Sequence, residues 1–286
     1  MKPKLPTTLL LTLLLLFSAK LTSQETSVVT NSEAIFNRYV EHISPYRSTS
    51  LENVLEKTAL FFIGTPYVES TLDKADEEQL VINLEEFDCV TYVENVLALS
   101  LSAKSNEFNF DSFKKQLQDI RYRNGEVVDY ASRLHYTSDW IYENEINNRL
   151  KNSSLQLLGR RETKEINFMS THRSAYKQLA HDDAMLHKIE ETEKHMNARG
   201  GFYYLPKQDI AAKAAEITHM ALVGFVTTID GLDTTHVGFA YQKDGQLTFI
   251  HASSGKVEVI VDSKTLSEYC LGQKNCKGII VAEINE

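Results

Sequence analysis

The sequence predicts an α+β fold in which an antiparallel β-sheet packs against a layer of helices. Apolar residues recur at helical spacing through the first two thirds of the chain. After about residue 218 the segments become short and rich in β-branched and aromatic residues, and Asp-Gly pairs at 230–231 and 244–245 mark turns. Helices followed by a run of strands are typical of this class. The sequence has no internal repeat and no low-complexity linker, so we predict a single domain.

The first 23 residues are predicted to be a secretory signal peptide. The stretch "MKPKLPTTLLLTLLLLFSAKLTSQ" combines a basic start, a short apolar core and small polar residues. That core is shorter than the ~20 residues of a membrane span, and no later stretch reaches that length. No cysteine follows the core, which argues against a lipoprotein anchor, and cleavage after Ala19 or after Ser23 is equally suitable. We expect a secreted protein of the bacterial periplasm, without an integral membrane segment in its mature form.

The predicted mature domain, residues 24–286, carries 27 basic and 39 acidic side chains, a net charge of −12. It contains no basic run and no alternation of basic and aromatic residues. Both nucleic acid and anionic membrane surfaces are therefore disfavoured as partners.

Capping residues and glycines set the predicted boundaries of the early helices. The first helix covers "NSEAIFNRYVEHI". In "TSLENVLEKTALFFIG", Thr49 and Glu52 have capping-box spacing and Gly64 ends the helix. A third helix begins at Cys89 and has an apolar face at helical spacing, so it is expected to be buried along one side.

The later elements are predicted in the same way. A helix in "FDSFKKQLQDIRYRNG" is capped by Asp111 and ended by Gly125. Further helices are predicted at 138–151, 174–197 and 209–217. The predicted strands lie in "HMALVGFVTTI", "THVGFAYQ", "LTFIHAS", "KVEVIV" and "GIIVAEI".

Three cysteines in an exported chain suggest one disulfide and one unpaired thiol. Cys270 and Cys276 lie six residues apart in the polar segment "EYCLGQKNCKG", which suits a local disulfide. A zinc site at the same pair is disfavoured, because the spacing is not C-x-x-C and no histidine follows. Cys89 is then the unpaired thiol.

The position of Cys89 at a helix start favours a reactive thiolate. Unpaired backbone N–H groups and the positive end of the helix dipole stabilise negative charge there. Asp88 is expected to cap the helix and partly oppose this effect. A buried structural cysteine at the same place is the alternative interpretation.

Two histidines are candidates for the base. If Asp244 and Gly245 form a two-residue hairpin turn, His236 and His251 lie on one face of adjacent strands, ~7–8 Å apart as diagonal neighbours. On the same face, Gly238 and Ala240 are small enough to let the Cys89 helix approach, while Val237, Phe239 and Tyr241 point to the opposite layer. A three-residue loop would instead place the histidines on opposite faces.

The stretches "GTPYVES", "FDCVTYVE", "THVGFAYQ" and "FIHAS" resemble the NlpC/P60 cysteine peptidases of bacterial cell-wall metabolism. The resemblance implies a papain-like core with Cys89 as nucleophile, His236 as general base and His251 orienting His236. It also implies that Tyr67 lies beside the oxyanion site. No metal and no organic cofactor are implied.

The pattern departs from most NlpC/P60 domains in two respects. This chain reads Asp88-Cys89-Val90-Thr91 where D-C-S-G is usual, and it is longer by an insertion of large helical segments around 102–217. The "C-x-T-x-V-E" form and the segment "YASRLHYTSDWI" resemble the DUF1460 branch, whose members are N-acetylmuramoyl-L-alanine amidase-like.

The insertion contains candidates for substrate binding. Arg133, Tyr136 and Trp140 suit carboxylate recognition and sugar stacking, although Trp140 equally suits core packing and Arg133 a solvated surface. Glu94 is expected to order substrate or structure. His135, His172 and His219 have no assigned role.

The resemblance implies an exported cysteine amidase that cuts the N-acetylmuramoyl-L-alanine bond of peptidoglycan fragments, in particular 1,6-anhydro muropeptides. Such a fragment, a disaccharide with a stem peptide, is the expected partner. The alternatives are a γ-D-glutamyl-diaminopimelate endopeptidase, an acyltransferase of the same Cys–His type, and a non-catalytic cell-wall binding protein.

Overall fold

The computed structural model describes residues 31–285, so the predicted signal peptide lies outside the described residues. Ten α-helices are present in the described part of the chain. They are α1 Asn31–Ile43, α2 Leu51–Phe61, α3 Cys89–Lys104, α4 Phe110–Arg121, α5 Thr137–Ile146, α6 Phe168–Thr171, α7 Lys177–Ala180, α8 Asp183–Ala198, α9 Ile210–Lys213 and α10 Leu266–Gly272.

The eight strands within residues 31–285 form one sheet in which all strand pairings are antiparallel. They are β1 Leu150–Asn152, β2 Arg160–Glu162, β3 Phe202–Pro206, β4 Leu222–Thr227, β5 Thr234–Lys243, β6 Gln246–Ser253, β7 Glu258–Val261 and β8 Cys276–Ile284. Their order is β2-β3-β8-β4-β5-β6-β7, with β1 also paired to β8. The predicted combination of helices and an antiparallel sheet is confirmed.

Helices cover both faces of the sheet. Helix α3 lies between the sheet and helices α2 and α4, and most of its residues are buried, so the predicted single buried side is wrong. Tyr92 of α3 meets Phe239 of β5 at a ring distance of 6.1 Å. On the other face, α9 and α10 pack against a second apolar cluster that includes Phe249.

Two predicted helix caps are displaced by one or two residues. The Ser50 side chain, not Thr49, caps α2 by accepting a hydrogen bond from the Asn53 N–H. Asn109, not Asp111, caps α4. Several residues suited to capping lie side by side at each start, and only the path of the incoming chain selects one of them.

The segment 102–217 is not purely helical, because β1, β2 and β3 lie within it and join the main sheet. The predicted helix 138–151 ends at Ile146, and Leu150 pairs with Ile284. These strands of three to five residues are too short to show a period in the sequence, and their partners lie far along the chain.

The other two helices predicted in this segment are shorter than expected. The predicted helix 174–197 divides where the Asp182 side chain caps α8. The predicted helix 209–217 consists of α9 followed by a 3-10 turn.

Candidate active site

Cys89 is the first residue of α3, and the residues around it set this helix start. The Asp88 carboxylate accepts a hydrogen bond from the Thr91 N–H at 2.8 Å, and the Thr91 hydroxyl lies 2.9 Å from the Asp88 N–H. This reciprocal capping box holds the first turn of the helix. The predicted cap by Asp88 is therefore confirmed.

The two histidines meet as the hairpin geometry predicts. Asp244 and Gly245 both have positive φ, 51° and 78°, as a two-residue turn requires, and Lys243 pairs with Gln246. As a result His236 and His251 project from one face, and their nitrogens Nε2 and Nδ1 lie 2.6 Å apart.

The histidines lie on the sheet face opposite to the one that α3 covers, whereas the prediction placed them on the face that meets this helix. Val237 and Phe239 pack in the same cluster as α3, whereas His236 lies beside Phe225 and Phe249 on the other side of the sheet. The larger side chains of β5 thus fill the space under α3. The prediction that Gly238 and Ala240 face this helix is wrong.

The thiol reaches the histidine strand at its backbone. The Val237 N–H, next along the chain from His236, hydrogen-bonds the Cys89 sulfur. Strands β5 and β6 are paired as far as Phe239 and Ile250, after which β6 continues only alongside β7. The helix therefore presents its cysteine where β5 is no longer paired to β6.

Tyr67 lies in an extended segment next to this position. Its N–H donates to the Val257 carbonyl at 2.9 Å, and it forms a bridge with Phe87, two residues before Cys89. Burial raises the pKa of the Tyr67 hydroxyl to about 12, and the nearby Cys89 thiol acts in the same direction. The role of Tyr67 at the oxyanion stays a prediction.

Asp262 extends the pair of histidines and is absent from the sequence-based prediction. Its Oδ2 lies 3.2 Å from His251 Nε2, and its Oδ1 accepts a hydrogen bond from the Lys264 N–H at 2.8 Å. The β6–β7 register pairs His251 with Ile260, so Asp262 falls on the same face two residues later. Asp262 could have been found from the sequence only by knowing this β6–β7 register.

This arrangement assigns the protons of the neutral imidazoles. A carboxylate only accepts, so His251 Nε2 carries the proton given to Asp262, and His251 Nδ1 is an acceptor. His236 Nε2 must then donate to His251. The remaining nitrogen of His236, Nδ1, is left with a lone pair and is the basic atom of the site.

Burial keeps both the thiol and the bases uncharged at neutral pH. It raises the pKa of Cys89 to about 12, with Asp88 acting in the same direction and the backbone N–H groups opposing. It lowers the pKa of His236 to about 3, assisted by His251, and that of His251 to about 4. Desolvation thus opposes the thiolate that the helix terminus was expected to favour.

Tyr269 is a second residue absent from the prediction. Its ring lies 6.1 Å from that of His236 and 5.8 Å from that of His251. It belongs to α10, in which Cys270 forms a disulfide with Cys276 at a Cα separation of 5.6 Å. The disulfide ties the helix that covers the histidines to β8.

Two of the predicted substrate-binding residues make internal contacts. Arg133 is buried, with Nη2 2.5 Å from Asp73 Oδ1. The buried Tyr136 hydroxyl donates to Glu193 at 2.6 Å and accepts from the Met169 N–H at 2.9 Å. These partners satisfy the Tyr136 hydroxyl, whereas Arg133 Nε has no hydrogen-bond partner among residues 31–285 and lies 3.6 Å from Glu78 Oε1. A role of either residue in substrate binding stays a prediction.

The other two predicted residues, Glu94 and Trp140, line a small pocket that also includes Val90, the residue after Cys89. Glu94 is buried and its Oε2 lies 2.7 Å from Arg121 Nε. Trp140 is buried, so it offers no open ring face to a sugar, and its Nε1–H finds no acceptor among residues 31–285. His135 lines the same pocket, whereas His172 stacks on Phe168.

The described residues include no helix long and apolar enough to cross a membrane. In the same part of the chain, no group of three or more histidine, cysteine, aspartate or glutamate side chains is arranged to hold a metal ion.

Cys89 is expected to be alkylated selectively and slowly at neutral pH. Without reductant, iodoacetamide should label Cys89 and leave the bonded Cys270 and Cys276 unmodified. Its rate should rise about tenfold per pH unit from pH 7 to 10, because the thiolate is the reactive form and the pKa is about 12. Peptide mass mapping at each pH measures both effects. A rate that is constant above pH 7 would instead reveal a thiolate in the resting site.

Asp262→Asn is expected to lower kcat more than Asp262→Ala does. The Lys264 N–H holds Oδ1, so the new amide would present its NH2 group to His251 and reverse both tautomers. His236 Nδ1 would then carry a proton and lose its function as a base, a loss of about 100-fold or more. Steady-state kinetics of the two variants, with circular dichroism as a folding control, make the comparison. Equal kcat values would refute the proton assignment.

Comparisons with known proteins agree with these features. A family model described as N-acetylmuramoyl-L-alanine amidase-like matches residues 57–279. An N-acetylmuramoyl-L-alanine amidase structure from Bacteroides uniformis is 33% identical, with a TM-score of 0.77, over 82% of this chain and 99% of that one. A candidate xylanase from Bacteroides fragilis is 34% identical, with a TM-score of 0.75, over 79% and 99%.

A more distant structure shares the fold. It is a Legionella pneumophila protein of the DUF1460 family, 22% identical with a TM-score of 0.65, and the match covers 90% of this chain and 97% of that one. No curated protein matches the sequence. The family model covers most of the described chain, including both the cysteine helix and the histidine strands, and the chain belongs to the N-acetylmuramoyl-L-alanine amidase-like, or DUF1460, family.

Proposed function

We propose that this protein is an exported cysteine amidase that hydrolyses the amide bond between N-acetylmuramic acid and L-alanine in peptidoglycan fragments. Family membership supports a peptidoglycan amidase-like role. The observation that carries the cysteine mechanism is the hydrogen-bonded series Asp262–His251–His236. It leaves His236 Nδ1 as a base, and His236 precedes Val237, whose N–H binds the Cys89 sulfur.

In the proposed mechanism the thiol is activated only when substrate is bound. His236 Nδ1 takes the thiol proton as Cys89 Sγ attacks the amide carbonyl carbon, so charge separation and bond formation occur together. The Cys89 N–H at the start of α3 and the Tyr67 hydroxyl stabilise the oxyanion. His251 and Asp262 stabilise the positive charge on His236.

The protonated His236 then gives its proton to the departing amine, and the carbon–nitrogen bond breaks. The product is L-alanyl peptide together with a thioester between Cys89 and the lactyl carboxyl group. Water, deprotonated by His236, hydrolyses this thioester and regenerates the thiol.

The similarity to a candidate xylanase does not change this proposal. A glycosidase generally places two carboxyl groups on either side of the bond it cuts. At this site the carboxylate nearest the histidines, Asp262, is bound to His251 and the Lys264 N–H, and the reactive groups are a thiol and an imidazole.

Mass spectrometry of products from defined muropeptides tests the proposal. We expect free disaccharide and a stem peptide beginning with L-alanine, with fragments ending in a 1,6-anhydro sugar as good substrates and intact sacculi as poor ones. A released peptide that begins with diaminopimelate would assign the γ-D-glutamyl endopeptidase activity instead. Transfer of the acyl group to an added amine, without hydrolysis, would indicate an acyltransferase.

A further inference from the structure

A small pocket is lined by two residues that adjoin the attacking sulfur, Val90 and Val237. Its walls include Val90 and Val93 of α3, Val237 of β5 and Trp140 of α5. Val90 follows Cys89 in the chain, and the Val237 N–H binds the Cys89 sulfur. A group in this pocket therefore belongs to the part of a substrate next to the reacting carbonyl.

The size of the pocket admits one small group. Its free volume is about 20 Å³, just above the ~10–15 Å³ that a single water molecule needs. The valines and leucines of the wall favour an apolar occupant over water. A methyl group meets both conditions, whereas a longer branched chain would have to displace the buried side chains Val93 and Val237.

The polar atoms that line the pocket suit an uncharged substrate group. Trp140 Nε1–H is a buried donor without an acceptor among residues 31–285, so a ligand oxygen that reaches it would satisfy it. His135 Nε2 donates to the Tyr130 carbonyl at 2.7 Å, so His135 Nδ1 is an acceptor. Burial lowers the pKa of His135 to about 3, which keeps it neutral. The Glu94 carboxylate is already bound by Arg121.

We infer that this pocket receives the methyl group adjacent to the scissile amide and limits the substrate to a methyl-sized substituent there. The inference rests on the proposed function. Two methyl groups flank that amide, the one on the lactyl group and the one on L-alanine, and they share the same chemistry. The Trp140 N–H then donates to an uncharged oxygen of the bound substrate.

Substrates enlarged by a single carbon test the inference. In one, L-2-aminobutyrate replaces L-alanine, and in the other an ethyl group replaces the lactyl methyl. For the wild-type protein, one of the two should lower kcat/KM by about 10- to 100-fold, the usual discrimination against one additional methylene in an apolar pocket. Val93→Ala should recover most of that loss, because the smaller side chain enlarges the pocket.

Val96→Ala is the matched control. It removes the same two methyl groups from a buried position of the same helix, away from the pocket. It should therefore leave the discrimination unchanged. The inference is overturned if neither enlarged substrate is disfavoured, or if Val93→Ala and Val96→Ala discriminate alike. Failure to cleave the unmodified muropeptide would overturn the proposed function itself, and the inference with it.

The donor on the wall has its own test. Trp140→Phe keeps a ring in the wall and removes the N–H. It should raise KM for both enlarged and unmodified substrates while the discrimination between them stays the same. An unchanged KM would exclude Trp140 as a donor to the substrate.

Discussion

Cys89→Ala is expected to lower turnover of muropeptides by about 10⁴-fold or more, since the variant cannot form a thioester and members of one catalytic unit fail together. Thermal unfolding should barely change, because Cys89 is only partly buried and the capping box of α3 does not involve its side chain. Product formation measured by mass spectrometry, together with a melting curve for each variant, gives both results.

His236→Ala should show a loss of similar size, and the double variant should lose little more than either single change. Cys89→Ser is the matched control. It places a hydroxyl where the thiol stands, so the side chain keeps nearly the same shape and loses most of its nucleophilicity. Substantial activity in Cys89→Ala would contradict the cysteine mechanism while leaving the family assignment intact.

Arg121→Ala is expected to cause the largest loss of stability. The Arg121 and Glu94 side chains are almost inaccessible, 1% and 2% exposed, and Arg121 also donates to the Val81 carbonyl at 2.8 Å. Removing one partner leaves a buried carboxyl without its counter-ion, at a cost of about 3–5 kcal/mol. In a chain of this size the melting temperature should fall by roughly 10 °C. Calorimetry or circular dichroism measures it.

The matched control replaces both partners. Arg121→Met combined with Glu94→Leu removes the two charges together and keeps the space filled, so it should recover much of the stability lost in Arg121→Ala. A melting temperature unchanged in Arg121→Ala would show that water or another group compensates the carboxyl. Activity of the double variant is a separate matter, because Glu94 also lines the pocket beside Cys89.

Local chemistry in the sequence determined several features of this protein. The start of α3 at Cys89 follows from Asp88 and Thr91, which are three residues apart and form the capping box of this helix. The meeting of His236 and His251 follows from a two-residue turn whose register propagates along both strands. These features depend on contacts between near neighbours in the chain, which residue type and spacing describe well.

Only the tertiary structure decided the remaining features of the site. Which sheet face meets α3 depends on how the bulky Val237 and Phe239 fill the core, and spacing along β5 is the same for either face. Asp262 joins the histidines through the β6–β7 register, across the loop 254–257, whose Ser254-Gly255 pair marks a turn but does not fix the register. Burial by many residues that are distant in sequence raises the pKa of the Cys89 thiol. The ion pair of Arg133 with Asp73 likewise joins residues far apart in the chain. Side chains far apart in sequence set the desolvation and hydrogen bonding of each group, and no local pattern encodes them.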